Sequence, residues 1–385
     1  SSGIAVQGLQ GLESIHCVGK VSSLESQVAK TETNARCGIG HTRWATHGRP
    51  TCENAHPHTS CDGQIALVHN GIIENFLELR EDLESRGHMF SSETDSEVLA
   101  HLIEENYDGD LLAAVQVAVS FTIGSYGLAV MTNHEPGVIV ATRKDSPLIL
   151  GTDRSGSYVA SDIVALLDAT RDVVVLGNKE YARLSASGIE YFDSCGKPLQ
   201  PEITHVTWDV DVVEKGGYPD FMLKEIHEQA KVVRDTLSPR LKENGISLDG
   251  IEADMNKFNK IYMVACGTAS YAAQIGRYLI ERICRVPVSA DIASEFRYNN
   301  PIIDDKTLVI AASQSGETAD TLAAVRLAQS SGSRVLAVVT VVGSSIAREA
   351  DDVLYTMAGH GIAVAITNAY SGTVAAMSLL ARPFA

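Results

Sequence analysis

Two patterns of apolar and polar positions divide the 385-residue chain. Up to about residue 213, short apolar runs of strand length lie close together and are separated by a few segments with a helical period. The predicted strands are 64–69, 126–131, 138–142, 148–150, 158–161, 173–176 and 189–192, and the predicted helices are 73–85, 95–107 and 111–119. Runs of strands with segregated helices predict a layered α+β domain with antiparallel sheets.

The pattern changes after residue 213. The segment EKGGYP at 214–219 is rich in residues that break regular structure, and a helical period follows over 220–237. From residue 258, apolar strands alternate with small polar loops and helices, with predicted strands at 261–265, 308–312, 335–342 and 353–356. This order predicts a doubly wound parallel sheet. The sequence thus predicts domains at 1–213 and 258–385, joined by a linker and helix at 214–257.

Composition narrows the possible functions. Asp and Glu number 48 against 31 Lys and Arg, so the net charge of −17 disfavours nucleic acid and anionic membranes as partners. Seven scattered cysteines without a CxxC motif, and an opening segment unlike a signal peptide, lead us to expect a cytoplasmic protein. The apolar stretch at 362–381 contains five polar residues and is interpreted as a buried helix, not a membrane span.

Small polar residues follow two strands of the predicted parallel sheet, as CGTAS at 266–270 and SQSGET at 313–318. Ligands of open α/β sheets bind at the carboxyl ends of the strands, where hydroxyls and helix N-terminal amides suit an anion. The loops lack the Walker lysine and the GxGxxG pattern, so a sugar phosphate is favoured over ATP or a dinucleotide. The alternative is that these serines and threonines only cap helices.

The first domain contains a segment dense in functional groups, HTRWATHG at 41–48. Arg43 offers two parallel donors to a carboxylate, although a hydrogen-bonded strand end would explain the segment as well. The histidines at 41, 47, 56, 58 and 69 do not have the spacing of a zinc site, and no metal is expected.

Two further segments each allow a structural and a functional interpretation. Asn70-Gly71 is either a hairpin turn or an oxyanion hole made by the Asn70 amide and the Gly71 N–H. The segment TDSE at 94–97 has the pattern of a capping box. Within it, Asp95 either interacts with the helix dipole or binds the ammonium group of a ligand.

Together these segments resemble the isomerising glutamine–fructose-6-phosphate aminotransferase family, and the resemblance covers nearly the whole chain. The matching segments of the first domain are GIGHTRWATHG at 38–48, NAHPH at 54–58, VHNGIIEN at 68–75 and SETD at 92–95. Those of the linker and second domain are KGGYP at 215–219, FMLKEIHEQ at 221–229, ACGT at 265–268, ASEFRY at 293–298 and SQSGETADT at 313–321.

The resemblance implies an α+β N-terminal-nucleophile (αββα) glutaminase domain, followed by the first half of an α/β SIS sugar-isomerase domain. It implies that ammonia released from L-glutamine converts fructose 6-phosphate to glucosamine 6-phosphate, the first step of hexosamine biosynthesis. It also implies a homodimer and no metal or organic cofactor.

Site residues are implied by the same resemblance. Asn70 and Gly71 would be catalytic, as the donors that stabilise the oxyanion. The implied glutamine-binding residues are Arg43, Trp44, Thr46, His47 and Asp95. The implied sugar-phosphate-binding residues are Cys266, Gly267, Thr268, Ser313, Gln314, Ser315, Thr318 and Val364.

The chain also departs from the family's pattern. The terminal nucleophilic cysteine and the second SIS half have no counterpart in the sequence. The opening residues resemble an internal segment of the family's glutaminase domain, which argues against Ser1 as a substitute nucleophile. Near Val364, the residues Gly361, Ile366 and Asn368 differ from the family's. We therefore expect this chain, taken by itself, to be an inactive fragment of the enzyme. The alternative is a truncated, non-catalytic paralogue that binds glutamine or a sugar phosphate.

Overall fold

The computed structural model describes residues 1–8, 11–31, 34–43, 48–206, 217–243, 245–248, 251, 257–359 and 367–381. The chain divides into two compact units, Ser1–Trp208 and Asp209–Ala385.

The first unit is an α+β structure, as the sequence predicts. Its described helices are α1 (Val21–Val28), α2 (Phe76–Ser85), α3 (Glu97–Asn106) and α4 (Leu111–Ser120), with a 3-10 turn at Ile163–Leu166. Its described strands are β1 (Ser2–Gly8), β2 (Gly11–Cys17), β3 (Gly38–Thr42), β4 (His58–Thr59), β5 (Ile65–Ile73), β6 (Gly124–Thr132), β7 (Ile139–Lys144), β8 (Ile149–Thr152), β9 (Ser157–Ala160), β10 (Asp172–Val175), β11 (Tyr181–Ser185), β12 (Gly188–Phe192) and β13 (Thr204–His205).

These strands form antiparallel sheets stacked between helices. The largest has the order β12-β11-β7-β6-β5-β4, and the others are β13-β10-β8-β9 and β2-β1-β3. Side chains from α2, α3 and α4 pack on one face of the large sheet, as Leu83, Leu99 and Val115 show. On the other face, β5 packs against β1 and β3 through Val68, Ala5 and Ile39. A helix layer on one face of the large sheet and a second sheet on its other face confirm the layered α+β class predicted for this unit.

Of the two interpretations of Asn70-Gly71, the hairpin turn is wrong, and the longer strand explains a misplaced helix start. Asn70 and Gly71 do not form a hairpin, because β5 continues through them to Ile73 and pairs them with Gly127 and Tyr126 of β6. A type I′ turn needs positive φ at both central residues, and Asn70 does not have it. Since Ile73 ends this longer strand, the helix predicted from residue 73 begins at Phe76.

The second unit contains the predicted parallel sheet. Its described elements, in chain order, are α5 (Phe221–Leu237), β14 (Leu241–Lys242), β15 (Gly245–Ile246), β16 (Lys260–Ala265), α6 (Gly267–Cys284), β17 (Val288–Ile292), α7 (Ala293–Tyr298), β18 (Thr307–Ser313), α8 (Ala319–Ser330), β19 (Arg334–Val339), α9 (Ser345–Glu349), β20 (Asp352–Tyr355) and α10 (Thr367–Leu380). The order β17-β16-β18-β19-β20 is parallel throughout.

Alternate residues of each central strand face opposite layers of this unit. Met263 and Ile310 pack towards α6 and α10, whereas Val264 and Val309 pack towards α7, α8 and α9. Helices on both faces confirm the doubly wound arrangement. The sequence patterns had not predicted β17 or α7, since the run at 288–292 is short and interrupted by polar residues.

Helix α10 occupies most of the apolar stretch that was interpreted as a buried helix. It packs against α5, where the Ser371 hydroxyl donates to Gln229 Oε1 at 2.7 Å, and most of its side chains are buried. Among the described residues, no helix has both the length and the apolar character needed to cross a membrane.

Candidate functional site

A cavity of about 630 Å³ in the first unit collects residues that the sequence singled out. Arg43 follows the end of β3, Asn70 and Gly71 belong to β5, and Asp95 precedes α3. All four line this cavity. The full set of lining residues is Gly3, Ile4, Leu24, Gly40, His41, Thr42, Arg43, His56, His69, Asn70, Gly71, Asp95, Ser96, Val159, Ala160, Ser161, Asp162 and Ala165.

Gly71 holds its strand close to β6 in a way that other residues could not. Its φ is +146°, and a Cβ atom placed there would lie 2.1 Å from the carbonyl oxygen of Ser125. Such a backbone angle and such a contact both favour glycine. The same strand segment presents Asn70, which is exposed, at the cavity wall.

Asp95 is positioned by the backbone of β5 and by the start of α3, which is itself bonded to β5. The Ile73 N–H at the end of β5 donates to Asp95 Oδ2 at 2.8 Å. The neighbouring Ser96 hydroxyl is hydrogen-bonded to His69 Nδ1 at 2.8 Å, which ties the start of α3 to β5. These contacts hold Asp95, a residue that is 9% exposed, against the cavity.

The capping box predicted at 94–97 is wrong. Ser96 is the N-cap of α3 and makes no side-chain cap hydrogen bond, while the Thr94 hydroxyl bonds to His58 Nε2 at 2.9 Å. Glu97 instead accepts hydrogen bonds from the backbone and hydroxyl groups of Ser91 and Ser92. Burial raises the pKa of Glu97, but these bonds and His101 outweigh it and lower the pKa to about 2.

Arg43 supplies the positive charge of the cavity. Its guanidinium donates to the carbonyl oxygens of Arg49 and Gly48 at 3.3 and 3.4 Å, which orients the side chain. Burial lowers the pKa of Arg43 while the nearby Asp95 carboxylate raises it, and the group stays charged at neutral pH. Trp44, Thr46 and His47, which the resemblance assigns to the same site, lie outside the described residues.

The histidines around the cavity are neutral at pH 7. Burial, together with His69, Arg43 and the N-terminal ammonium, lowers the pKa of His41 to about 4, and burial lowers the pKa values of His56 and His69 below their usual range. Among the described lining residues, the charged side chains are therefore Arg43, Asp95 and Asp162. One guanidinium opposite carboxylates suits a small zwitterion such as an amino acid.

In the second unit, the two polar loops lie side by side. Ala265 and Ala312 are paired in neighbouring parallel strands, so Cys266, just after β16, and Ser313, the last residue of β18, lie at the same edge of the sheet. The Thr321 hydroxyl donates to Cys266 Sγ at 3.8 Å and links the first turn of α8 to the neighbouring loop. Gly267 and Thr268 form the first turn of α6.

The alternative that these loop residues cap helices is wrong at the N-cap positions. Cys266 and Thr318 are the N-caps of α6 and α8, and neither makes a side-chain cap hydrogen bond. Ser313 Oγ accepts from the Gly316 N–H at 3.0 Å and is hydrogen-bonded to the Thr318 hydroxyl at 3.1 Å. Ser315 Oγ accepts from the Glu317 N–H at 3.2 Å. The hydroxyls therefore shape the loop itself.

A third loop completes this edge of the sheet. Gly316 has φ +67°, and a Cβ atom there would lie 2.0 Å from Ser344 Oγ. Glu317 holds the start of α9 by accepting from the Ser345 N–H and hydroxyl, both at 2.7 Å. Gln314 accepts from the Thr340 N–H at 3.2 Å through its carbonyl oxygen. Val364, the remaining residue of the implied sugar site, lies outside the described residues.

Comparison with known proteins gives two domain matches and many relatives. A glutamine amidotransferase domain model matches residues 41–168, and a SIS domain model matches residues 254–382. Three glutamine–fructose-6-phosphate aminotransferases (isomerising) are similar over 99–100% of this chain. They are from Clostridium tetani (54% identical), Clostridium acetobutylicum (49%) and Thermus thermophilus (49%).

The chain belongs to the glutamine–fructose-6-phosphate aminotransferase family. It spans 63–64% of the length of these three relatives. Its glutamine amidotransferase match includes the four described residues Arg43, Asn70, Gly71 and Asp95 of the cavity. Its SIS match includes both polar loops at the sheet edge.

Part of the lining of the amidotransferase cavity was not identified by any sequence motif. The wall formed by residues 159–165 comes from β9 and the turn after it, and Leu24 comes from α1. Both segments lie outside the motifs, residues 159–165 far beyond them along the chain, and neither contains an unusual pattern. Only the stacking of the smaller sheets on β5 brings them to the cavity.

We predict that the amidotransferase unit loses stability as the pH falls from about 6.5 to about 4. Burial, His16, Arg43 and His69 lower the folded-state pKa of His58 to about 4, despite an opposing effect of Glu97. In this pH window the unfolded chain binds a proton at His58 that the folded chain does not. The group therefore contributes up to about 3 kcal/mol above pH 6.5, and this is lost below pH 4.

Thermal unfolding of the full chain between pH 7.5 and 4 tests this, followed by tryptophan fluorescence. A His58→Asn variant should show a shallower pH dependence than the wild type, whereas His134→Asn, at an exposed position, should not. Equal pH slopes for wild type and His58→Asn would contradict the prediction.

Proposed function

We propose that this chain carries the glutaminase site and part of the sugar-isomerase site of an enzyme that makes glucosamine 6-phosphate from fructose 6-phosphate and L-glutamine. The observation that supports this most is the convergence of Arg43, Asn70, Gly71 and Asp95 on one cavity. The names of the relatives and the adjacent polar loops of the SIS domain agree with it.

In the proposed glutaminase site, charge complementarity orients the substrate. The Arg43 guanidinium pairs with the α-carboxylate of glutamine, and the Asp95 carboxylate accepts from the α-ammonium. This directs the side-chain amide along the cavity wall towards β5. There the Asn70 side-chain amide and the Gly71 N–H act as donors to the oxygen that becomes negative when the amide carbon is attacked. Trp44, Thr46 and His47 are proposed to close over the bound glutamine.

In the proposed sugar-phosphate site, the loop after β18 holds the phosphate. The hydroxyls of Ser313, Ser315 and Thr318, together with Gln314 and the amides at the start of α8, are suitable donors. The loop after β16, with Cys266, Gly267 and Thr268, lies beside it and would contact the sugar, together with Val364. We further propose the domain limits 1–213, 214–257 and 258–385, a homodimer and a cytoplasmic location.

Calorimetric titration of the chain with L-glutamine tests the glutaminase site. The Arg43→Met and Asp95→Asn variants should each bind L-glutamine about 10- to 100-fold more weakly, because each loses one charge-assisted hydrogen bond. Arg154→Met and Asp108→Asn remove the same charges at exposed positions and should leave the affinity unchanged. Equal losses in all four variants, or no binding by the wild type at millimolar glutamine, would contradict this assignment.

The protein isolated from its source separates the enzyme from a non-catalytic paralogue. With glutamine and fructose 6-phosphate both saturating, we expect release of glutamate and formation of glucosamine 6-phosphate. Binding of glutamine without either product would favour the paralogue. Its intact mass and N-terminal residue would show whether the natural polypeptide is longer than 385 residues.

A further inference from the structure

We propose that the amidotransferase unit binds one Zn²⁺ ion through Cys61, His88, His101 and Glu104. One potential ligand atom from each residue lies within 4.8 Å of the others. The four residues are hereafter the Cys-His-His-Glu cluster. Among the described residues that line the glutamine cavity, the cluster contributes none, so it is a separate site.

The spacing of the ligand atoms fits a tetrahedral zinc ion. Cys61 Sγ lies 3.7 Å from His88 Nδ1 and 3.5 Å from His101 Nδ1. Glu104 Oε2 lies 3.2 Å from His88 Nδ1 and 3.3 Å from His101 Nδ1. Zinc bonds of ordinary length at tetrahedral angles separate a sulfur from a nitrogen by about 3.5 Å, and two N or O ligands by about 3.4 Å. An ion could thus enter with only small side-chain movements.

Three separate segments hold the ligands in place. Cys61 lies in the turn between β4 and β5, and His88 follows α2, while His101 and Glu104 are one turn apart on α3. The Cys61 and Asp62 N–H groups donate to the two oxygens of Glu104 at 3.0 and 3.2 Å. The Met89 N–H donates to Cys61 Sγ at 3.4 Å. Backbone groups therefore keep the thiol and the carboxylate close together.

The surroundings of His101 match those of a histidine that binds a metal. Its ring is 1% exposed, and its Nε2 atom, which faces away from the cluster, lies 3.7 Å from Glu97 Oε1. A ligating histidine commonly directs its other ring nitrogen at a carboxylate, which orients the ring. Glu97 is itself fixed by Ser91 and Ser92. The supporting carboxylate is thus already ordered.

The ligand set favours zinc over other common ions. One thiolate, two imidazoles and one carboxylate are borderline-soft donors, whereas Mg²⁺ and Ca²⁺ prefer oxygen ligands alone. Four protein ligands leave no open position for substrate, so the ion would be structural. It would tie the β4–β5 turn and the segment after α2 to α3. The expectation of no metal rested on the spacing of the histidines at 41–69, which does not include His88 or His101. The four ligands of the cluster are too dispersed along the chain to form a sequence motif.

Zinc content of the full chain tests the proposal. The chain is stripped with a chelator, reloaded with Zn²⁺ and freed of excess metal. Elemental mass spectrometry should then find about one zinc ion per wild-type chain. Cys61→Ser and His88→Ala should bind zinc more than tenfold more weakly. The controls Cys195→Ser and His134→Ala, at exposed positions outside the cluster, should keep the wild-type content and affinity.

Cobalt provides a readout that a general loss of folding would not mimic. Co²⁺ in the wild type should show a thiolate-to-metal charge-transfer band and the visible bands of a tetrahedral ion. Cys61→Ser should lose the charge-transfer band, and circular dichroism should show an unchanged fold, while Cys195→Ser retains the band. A wild type that binds no Zn²⁺, or the same zinc content and affinity in Cys61→Ser, would overturn the proposal.

Discussion

A Gly71→Ala substitution is expected to destabilise the amidotransferase unit by about 2–6 kcal/mol and to weaken L-glutamine binding more than tenfold. The added Cβ would lie 2.1 Å from Ser125 O and 3.0 Å from His69 Nε2. Moving the strand away would break its pairing with β6. The alanine would also be strained by the φ of +146°. The overpacking and the backbone strain each cost about 1–3 kcal/mol and act together. The shift of the strand displaces Asn70 from the cavity wall.

Urea unfolding followed by tryptophan fluorescence measures the loss, since both tryptophans, Trp44 and Trp208, belong to the first unit. Gly188→Ala is the matched control. Gly188 begins β12 with φ +133°, but the space around its Cβ position is empty to 4 Å. This variant should show only the cost of backbone strain. Equal destabilisation by the two substitutions would show that close contact with β6 is not what requires glycine at position 71.

An Arg334→Leu substitution is expected to destabilise the SIS unit by about 3–5 kcal/mol. Arg334, at the start of β19, donates to both carboxylate oxygens of Asp352 in β20, at 2.7 and 3.0 Å. The Asp352 side chain is fully buried. Removing the guanidinium leaves this carboxylate without its bidentate partner in a region of low dielectric constant, which is a strongly destabilising change.

Hydrogen exchange of β19 and β20, together with urea unfolding of the full chain, measures this effect. Arg326→Leu removes a similar bidentate pair with Glu349, but both side chains there are partly exposed, at 41% and 33%. We expect a loss of about 1 kcal/mol or less for that control. The double variant Arg334→Leu/Asp352→Leu should regain much of the stability, because the buried charge is gone. A loss from Arg334→Leu no greater than from Arg326→Leu would show that burial of Asp352 is not decisive.

The order of elements was largely predictable from local patterns. The strands that end at Ala265 and Ser313 are continuous apolar runs, because both faces of a parallel sheet are covered by helices. The polar loops after these strands follow from the repeated order of strand, loop and helix. The parallel pairing of β16 with β18 makes the two loops neighbours. Arg43, Asn70, Gly71 and Asp95 were identified from the motifs that the chain shares with its family.

Other features depended on contacts that no local pattern encodes. The Asn-Gly pair at 70–71 has the strongest local preference for a turn, yet pairing with β6 keeps it in a strand. Ser125 lies so close to this strand that only a glycine fits at position 71. Thr94 and Glu97 have the spacing of a capping box, but His58, Ser91 and Ser92 provide better partners in the folded chain.

The sequence by itself therefore determined the two fold classes, the family and the identity of most of the candidate site residues, because these depend on periodicity and on short motifs. The tertiary structure alone decided that Asn70 and Gly71 form a strand and not a turn, and which residues complete the cavity. It also decided that Cys61 and Glu104, 43 positions apart, lie within hydrogen-bonding distance. The physical reason is that these outcomes depend on the stacking of sheets and helices, which places residues together across long separations in the chain.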